Sequence, residues 1–105
     1  MLTSRPAGGS YPAAIPIDRR ISERLELSAF RMCKVEFPAG ASTEPHDHID
    51  DGVEDAYAIL RGDGWLFVDG EQIAIKAGHF VSVTQSSTRF IMAGDNGCDF
   101  IAVCA

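Results

Sequence analysis

Residues 40–62 read GASTEPHDHIDDGVEDAYAILRG and place two of the chain's three histidines one residue apart. If this segment is extended, His46 and His48 point to the same side, because residues i and i+2 of a strand share a face. A group of acids follows before a short apolar run: Asp50, Asp51, Glu54 and Asp55. The stretch therefore predicts either a metal site on a β protein or a solvated acidic loop at its rim.

The rest of the chain has the pattern of short β-strands. The segment RMCKVEF at 31–37 alternates, with Cys33, Val35 and Phe37 on one face. Turn sequences such as RGDG, DG, KAG and AGDNG separate the further strands, which are predicted at 56–60, 65–68, 72–75, 80–83, 88–92 and 98–103. No helical period of useful length is present. Roughly eight or nine short strands at regular spacing predict an all-β barrel or sandwich.

Size and composition limit the classes of protein to consider. The 105 residues suit one domain, and 46% of them are hydrophobic, which is enough for one core. The net charge of −6 argues against binding a phosphate backbone, so no nucleic-acid partner is expected. No apolar run approaches the roughly 18 residues of a membrane span, so no membrane partner is expected either. Three cysteines without a CxxC pair predict reduced thiols in a cytoplasmic protein.

The first part of the chain differs in composition from the rest. Residues 1–20 are rich in Pro, Gly, Ala and Ser, and the β pattern begins after them. We therefore expect an N-terminal arm or irregular lead-in at 1–24 and a barrel domain at 25–105. The sequence leaves open whether the arm is exchanged between subunits.

Two imidazoles and a carboxylate from a neighbouring strand make a three-ligand set of two nitrogens and one oxygen. Such sets suit Fe(II), Mn, Ni or Zn and keep positions open for water or substrate. Two carboxylates compete for the third place. Asp55 shares a face with Tyr57 and Ile59, whose bulk suits a core, whereas Glu54 has the longer reach. The sequence does not separate these two candidates.

These residues resemble the first motif of the cupin superfamily, in which a glycine precedes an HxH pair, an acid and a second glycine. Gly40, His46 and His48 have the spacing of the motif, and six residues separate Asp55 from the closing glycine. Two features depart from the motif, because the gap after His48 is longer and the acid is Asp rather than Glu. The likeness covers about residues 30–103 and is closest to small single-domain, RmlC-like cupins.

The resemblance implies a cupin double-stranded β-helix, or jelly-roll, barrel that holds a divalent metal and forms a homodimer. In the second cupin motif, read from Gly78, Arg89 falls where the family has its fourth metal ligand, a histidine. Arginine does not ligate metals. Arg89 is then expected in one of three roles: an ion pair with Asp55 or Glu54, a fork that binds the carboxylate or phosphate of a small ligand, or a solvated position at the barrel mouth.

Other side chains are candidates for the pocket wall. Tyr57 is the strongest ligand-binding candidate, because it lies two residues after Asp55 on the same face. Cys33 is expected as a buried, inert thiol, and His79 as an exposed turn residue. Most of the other aromatic residues are expected in the barrel core: Trp65, Phe67, Phe80 and Phe90.

The residues support three functional hypotheses. The first is a barrel that binds a divalent metal, a small anionic ligand, or both. The metal ligands would be His46, His48 and either Glu54 or Asp55. If the protein is an enzyme, this metal would take part in catalysis. The second is a non-catalytic ligand-binding or sensory barrel in which Arg89 replaces the fourth metal ligand. The third is a degenerate barrel that serves only in oligomerisation. The cupin fold hosts many activities, so the resemblance alone does not choose among them.

Overall fold

The computed structural model describes residues 17–105 and is built mainly from antiparallel strands. The elements are β1 Ile17–Arg20, α1 Ile21–Arg24, β2 Arg31–Phe37, β3 Asp55–Val68, β4 Glu71–Lys76, β5 Phe80–Val83 and β6 Arg89–Cys104. The strand pattern of the sequence is thereby confirmed as an all-β fold of the jelly-roll type. Within these residues, no helix has the length and apolar character that crossing a bilayer requires.

The two long strands, β3 and β6, organise the barrel. The strand order is β1-β2-β6-β3-β4, and β5 pairs with β3 outside this path. The first part of β3 pairs with β5 at 55–58, and its last part pairs with β4 at 63–68. The pairing between β3 and β6 shifts register twice, once between Ile59 and Arg61 and once between Gly62 and Gly64. Each long strand therefore contributes its two halves to different parts of the barrel.

The register shifts explain why the strand count differs from the prediction. β2 and β5 have the predicted bounds, but the predicted turns at RGDG and AGDNG lie inside β3 and β6. Among residues 17–105 there are six strands instead of eight or nine. Glycine allows β3 and β6 to continue through these predicted turns. A side chain at Gly62 would collide with the carbonyl oxygen of Gly97, and Gly97 has a positive φ of 72°, which favours glycine.

The core lies on the inward-facing positions of the strands. Phe100 is at its centre, with edge-to-face ring contacts to Phe37 at 5.4 Å and to Tyr57 at 5.8 Å between centroids. The other large buried side chains come from alternate positions of β2 to β6: Val35, Ile59, Leu66, Ile75, Val83 and Ile91.

The prediction that most of the other aromatic residues are core residues is wrong. Phe80 is 82% exposed and Trp65 is 39% exposed. Phe67 and Phe90 stack on each other at 4.4 Å and are half-buried. The physical reason is the two-residue period of a strand, which places these side chains on the faces opposite to the buried Leu66, Val83 and Ile91.

Residues 17–24 of the predicted lead-in adopt regular structure. β1 pairs antiparallel with β2, and Arg19 Nε lies 2.7 Å from a carboxylate oxygen of Glu36 in a largely buried ion pair. The short helix α1 follows directly. The predicted boundary between residues 24 and 25 stays a prediction, and residues 1–16 of the predicted arm lie outside the described residues.

Candidate metal centre

The two histidines lie in the long connection between β2 and β3, which runs beside the start of β6. His46 exchanges two backbone hydrogen bonds with Arg89, at 2.8 and 3.0 Å, and the N–H of His48 donates to the carbonyl oxygen of Gln85. The connection makes isolated bridges instead of a continuous strand. It is nevertheless extended enough to bring both rings to one side, with centroids 5.2 Å apart.

The choice between the two carboxylates is decided by the parity of β3. Asp55 is 3% exposed and shares the inward face with Tyr57 and Ile59. Glu54 is exposed, and its backbone exchanges two hydrogen bonds with Ala105. Asp55 therefore joins the histidines, and Glu54 lies outside the group.

Three ligand atoms converge at this place. His48 Nε2 is 3.2 Å and His46 Nε2 is 3.8 Å from Asp55 Oδ2, and one atom from each residue lies within 4.8 Å of the other two. Ligands that bind one ion at right angles, each about 2.1 Å from it, lie about 3 Å apart. The three residues would therefore hold a divalent ion through two nitrogens and one oxygen.

Hydrogen bonds to the other ring nitrogens prepare both histidines for this role. His46 Nδ1 lies 3.1 Å from the carbonyl oxygen of Glu44, which only accepts, so Nδ1 carries the proton. His48 Nδ1 lies 3.1 Å from both carboxylate oxygens of Asp51. In the neutral rings both Nε2 atoms then have a free lone pair, which is the arrangement that metal-binding histidines need.

In this tautomer the two rings and the Asp55 carboxylate repel one another, and a bound cation removes the repulsion. The free lone pairs of His46 and His48 face the buried carboxylate of Asp55, so acceptors oppose acceptors at 3.2 and 3.8 Å. Either protons on both rings or one metal ion between the three groups removes this repulsion. The donor set therefore fits a metal by charge as well as by spacing.

Tyr57 and Cys104 hold the carboxylate in place. The Tyr57 hydroxyl donates to Asp55 Oδ2 at 2.9 Å, and the Cys104 thiol donates to Oδ1 at 2.7 Å. Burial and the neighbouring Asp55 charge raise the pKa of Tyr57 above its ordinary value. Burial and the hydrogen bond to Asp55 raise the pKa of Cys104 to about 12. Both groups therefore keep their protons at neutral pH and act as donors.

Arg89 lies behind the carboxylate. Only 1% of it is exposed, and its Nε is 3.5 Å from Asp55 Oδ2. Its Nη2 donates to the carbonyl oxygens of Val83 and Thr84, at 3.3 and 2.8 Å. Among the described residues, Nε and Nη1 have no hydrogen-bond partner. The expectation of a solvated position at the mouth is wrong, because the bridge to His46 places Arg89 inside the barrel, and its ion pair is with Asp55 instead of Glu54.

A cavity of about 200 Å³ adjoins this group. Val35, Ile91 and Phe100 form apolar walls, and Arg31 is among the lining residues. Arg31 Nη2 also lies 3.3 Å from Asp51. Tyr57 and Cys33 line the cavity as well, whereas Arg89 is not part of the wall. Cys33 was expected as a buried thiol, but it is only half-buried.

Cys104 is the site residue that sequence reasoning missed. It lies directly opposite Asp55 in the pairing of β3 with β6. The pattern that could have found it is the alternation of Cys98, Phe100, Ala102 and Cys104, which places the last thiol on the inward face. His79, in contrast, lies in a different cavity and has no part in the group.

Comparison with solved structures identifies the fold. No protein-family model and no curated protein matches the sequence. A cupin protein from Bacteroides fragilis matches with a TM-score of 0.76 and 25% identity over 93% of this chain and 81% of its own. A predicted oxalate decarboxylase from Thermotoga maritima matches with a TM-score of 0.66 and 28% identity, over 70% of this chain and 64% of its own.

A third match is a Cupin 2 conserved barrel domain protein from Salinispora arenicola, with a TM-score of 0.65 and 20% identity. The match covers 73% of this chain and 63% of that protein. The chain thus spans less than two thirds of the Thermotoga and Salinispora proteins. Together with the jelly-roll strand arrangement, these likenesses show that the chain is a cupin-type domain.

Proposed function

We propose that the barrel binds one divalent metal ion through His46, His48 and Asp55 and takes a small anionic ligand in the adjoining cavity. One observation carries the proposal. Both Nδ1 atoms have hydrogen-bond partners, while both Nε2 atoms are directed at one buried carboxylate oxygen. Donors of this type suit Fe(II), Mn, Ni or Zn. When bound, such an ion supplies Lewis acidity next to the cavity.

The charges around the site favour an anion as the second ligand. Asp55 is next to Arg89, and Asp51 is next to Arg31, so the two carboxylates already have their counter-charges. A divalent ion adds positive charge that these four groups do not balance. A small anion in the cavity balances it, and Arg31 is the cation in the cavity wall that can pair with it.

The cavity volume limits the size of this anion. About 200 Å³ accommodates a molecule of a few non-hydrogen atoms, because one water molecule occupies about 30 Å³ in the liquid. The similar Thermotoga protein is described as a predicted oxalate decarboxylase. Oxalate has the charge and size that this cavity favours, so we choose it as the first probe.

Metal analysis tests the first half of the proposal. Protein without an affinity tag is incubated with Fe(II), Mn(II), Ni(II) or Zn(II), desalted and analysed for metal by mass spectrometry. We expect about one equivalent of one metal in the unaltered protein. Asp55→Asn should lose it, and the neighbouring Glu54→Gln should keep it, because Glu54 lies outside the group. Failure of every metal to remain bound contradicts the proposal.

Calorimetric titration with oxalate tests the second half. We expect saturable binding to the metal-loaded protein and at least about tenfold weaker binding after chelation of the metal. Arg31→Gln should weaken binding while the metal content stays near one equivalent. Equal affinity with and without metal would contradict the assignment of the anion to the metal cavity.

A non-catalytic binding module is the second candidate, and one observation favours it. Asp55 already receives two hydrogen bonds and an ion pair from Tyr57, Cys104 and Arg89. The carboxylate is thus compensated without any metal. This candidate predicts that carboxylate ligands raise the unfolding temperature of metal-free protein as much as that of metal-loaded protein.

A further inference from the structure

A second and larger cavity, of about 700 Å³, lies on the outer side of β3, β4 and β6. The polar and aromatic residues in its wall are Asp63, Trp65, Lys76, His79, Asp95 and Asn96. In the described part of the chain it shares no lining residue with the metal cavity. Its volume is within the range of about 300–1,000 Å³ that is typical of small-molecule sites.

A bulge in β6 builds one wall of this cavity. Gly64 pairs with Ala93 and Gly62 pairs with Cys98, so residues 94–97 together face the single residue Asp63. A side chain at Gly94 would collide with the Asp63 carboxylate, which shows how closely the bulge lies on it. Bulges of this kind direct side chains away from the regular pattern of a strand.

The bulge is held in position before any ligand arrives. Arg61 binds Asp99 through two hydrogen bonds, at 2.9 and 3.1 Å, and its Nη1 donates to the carbonyl oxygen of Asn96 at 3.0 Å. The side chain of Asn96 in turn donates to Asp63 Oδ2 at 3.2 Å. This chain of contacts holds Asp63 and Asn96 in position, which lowers the entropy cost of binding at this part of the wall.

Trp65 gives the cavity a flat apolar surface. It is 39% exposed and lies opposite Ala74 in β4 and Met92 in β6. A large ring is thereby left partly open to solvent beside a polar wall. Indole rings in such positions offer apolar contact area at a low cost in side-chain entropy.

The polar groups differ in sign and in hydrogen-bonding type. Asp63 and Asp95 accept hydrogen bonds, Lys76 donates them, and the side chains of His79 and Asn96 can do both. Lys76 lies directly opposite Asp63 in the pairing of β3 with β4. An anion would meet two carboxylates, a cation would meet Lys76, and a wholly apolar ligand would leave all five polar groups of the wall without new partners.

A neutral molecule with several hydroxyl groups and one apolar face satisfies all of these groups. We propose that this cleft binds a neutral saccharide of one or two pyranose rings. The C–H face of one ring packs on Trp65, and the hydroxyl groups exchange hydrogen bonds with Asp63, Lys76 and Asn96. This site is independent of the proposed metal centre.

The sequence provides the reporter for the test, because Trp65 is the only tryptophan in the chain. Protein treated with a chelator is titrated with methyl α-glucoside, methyl β-galactoside, methyl α-mannoside, maltose and cellobiose, while tryptophan fluorescence is recorded. We expect at least one sugar to give a saturable change in intensity with a shift of the emission to shorter wavelength. Addition of metal should leave the affinity for the sugar unchanged. Sugar binding can therefore be assessed independently of whether the proposed metal centre binds metal.

Variants locate the binding and control for folding. Asp63→Asn should weaken binding about tenfold, because a neutral amide accepts hydrogen bonds less strongly than a carboxylate. Glu71→Gln, an exposed acid in β4 outside the cleft, should leave the affinity unchanged. Saturation-transfer NMR on Trp65→Phe measures sugar binding without the fluorescent reporter and should show weaker transfer. Unfolding temperatures establish that each variant is folded.

Three results would overturn the proposal. The first is the absence of a saturable change with all five sugars in both fluorescence and NMR. The second is a saturable response to adenosine or inorganic phosphate with no response to the sugars, which would assign the cleft to another class of ligand. A sugar response of equal size in unaltered protein and Asp63→Asn would likewise remove the proposed site from this cleft.

Discussion

Cys104 lies directly opposite Asp55 across the β3–β6 pairing, and its thiol donates a 2.7 Å hydrogen bond to the carboxylate oxygen Oδ1. Tyr57 and both histidines are near the other oxygen, Oδ2. The thiol therefore holds Oδ1, while Tyr57 and Arg89 contact Oδ2 on the side of the histidines. A positioning residue at the end of the last strand thus contributes to the proposed metal centre.

Removal of this thiol should lower stability measurably. In Cys104→Ala, Asp55 Oδ1 loses its donor inside the barrel, and hydrogen bonds to charged groups contribute about 1.5–3 kcal/mol. Cys104→Ser keeps a donor and should lose clearly less. Urea unfolding of the three proteins, without metal, measures the difference. Equal free energies of unfolding for Cys104→Ala and unaltered protein would show that the hydrogen bond contributes nothing.

Arg89→His should restore a fourth ligand to the motif. The family resemblance implies that Arg89 is at the place of the second motif's histidine, and its backbone is hydrogen-bonded to that of His46. We expect metal to be retained at least about tenfold better against a chelator.

The same variant should depend on metal for its stability. Without metal, the buried Asp55 carboxylate loses its cation, so the unfolding temperature should fall. Zn(II) should raise it again by binding the folded state. Arg89→Met, which lacks both the charge and a strong ligand, is the matched control and should recover less. An equal gain in both variants would argue against ligation at position 89.

Alkaline pH should destabilise the barrel through Cys98. This thiol is fully buried, and burial, followed by the charges of Asp99 and Asp63, raises its pKa from 9.0 to about 11. A folded-state pKa above the unfolded value means that the neutral thiol favours the folded state. This contribution is complete below pH 9 and is lost as the pH rises from about 9 to 11.

Urea midpoints measured between pH 8 and 11 test this expectation, with Cys98→Ala as the comparison. The variant should be less stable at pH 8, because it leaves a small cavity. Its midpoint should decline less steeply above pH 9. Parallel curves for the two proteins would show that Cys98 does not contribute to the alkaline loss.

The homodimer expected from the family resemblance stays a prediction, and Phe80 offers a test of it. Phe80 is 82% exposed beside a mainly apolar hollow lined by Ala56, Ala58, Ile101 and Val103. We expect Phe80→Glu to convert a dimer to a monomer, because the charge would be buried at an apolar contact. Light scattering after gel filtration measures the mass, and Phe67→Glu, which lies outside this hollow, is the control. A monomeric unaltered protein would contradict the expectation.

Local periodicity predicted much of the fold and part of the site. Alternation in β2 and β5 gave their bounds, and the one-residue spacing of His46 and His48 indicated that they share a side. The choice between Asp55 and Glu54 as the inward carboxylate stayed open, because the sequence does not show which face of β3 points into the barrel. The closeness of Cys104 to Asp55 depends on pairing between strands distant in sequence, which no local pattern contains.

Glycine was the main source of error in the strand count. Gly62, Gly64 and Gly97 read as turn residues, yet in the barrel Gly62 and Gly64 permit close approach of β3 to β6, and Gly97 permits close approach of β6 to Phe37 in β2. A glycine that allows a turn and a glycine that allows two backbones to touch look alike in one sequence. The prediction that the aromatic residues are buried was wrong because it relied on their size. Whether a strand residue is buried depends on which of the two faces of the strand it lies on.

The bulge at residues 94–97 has a consequence for how this barrel can diversify. Pairing with β3 is regular at Ala93 and again at Cys98, so the bulge is a loop enclosed within one strand. Insertions or deletions in it leave the register of Arg89 and Cys104 unchanged. Descendants of this sequence can therefore reshape the outer cleft by small changes in length while the ligand set around Asp55 is inherited intact.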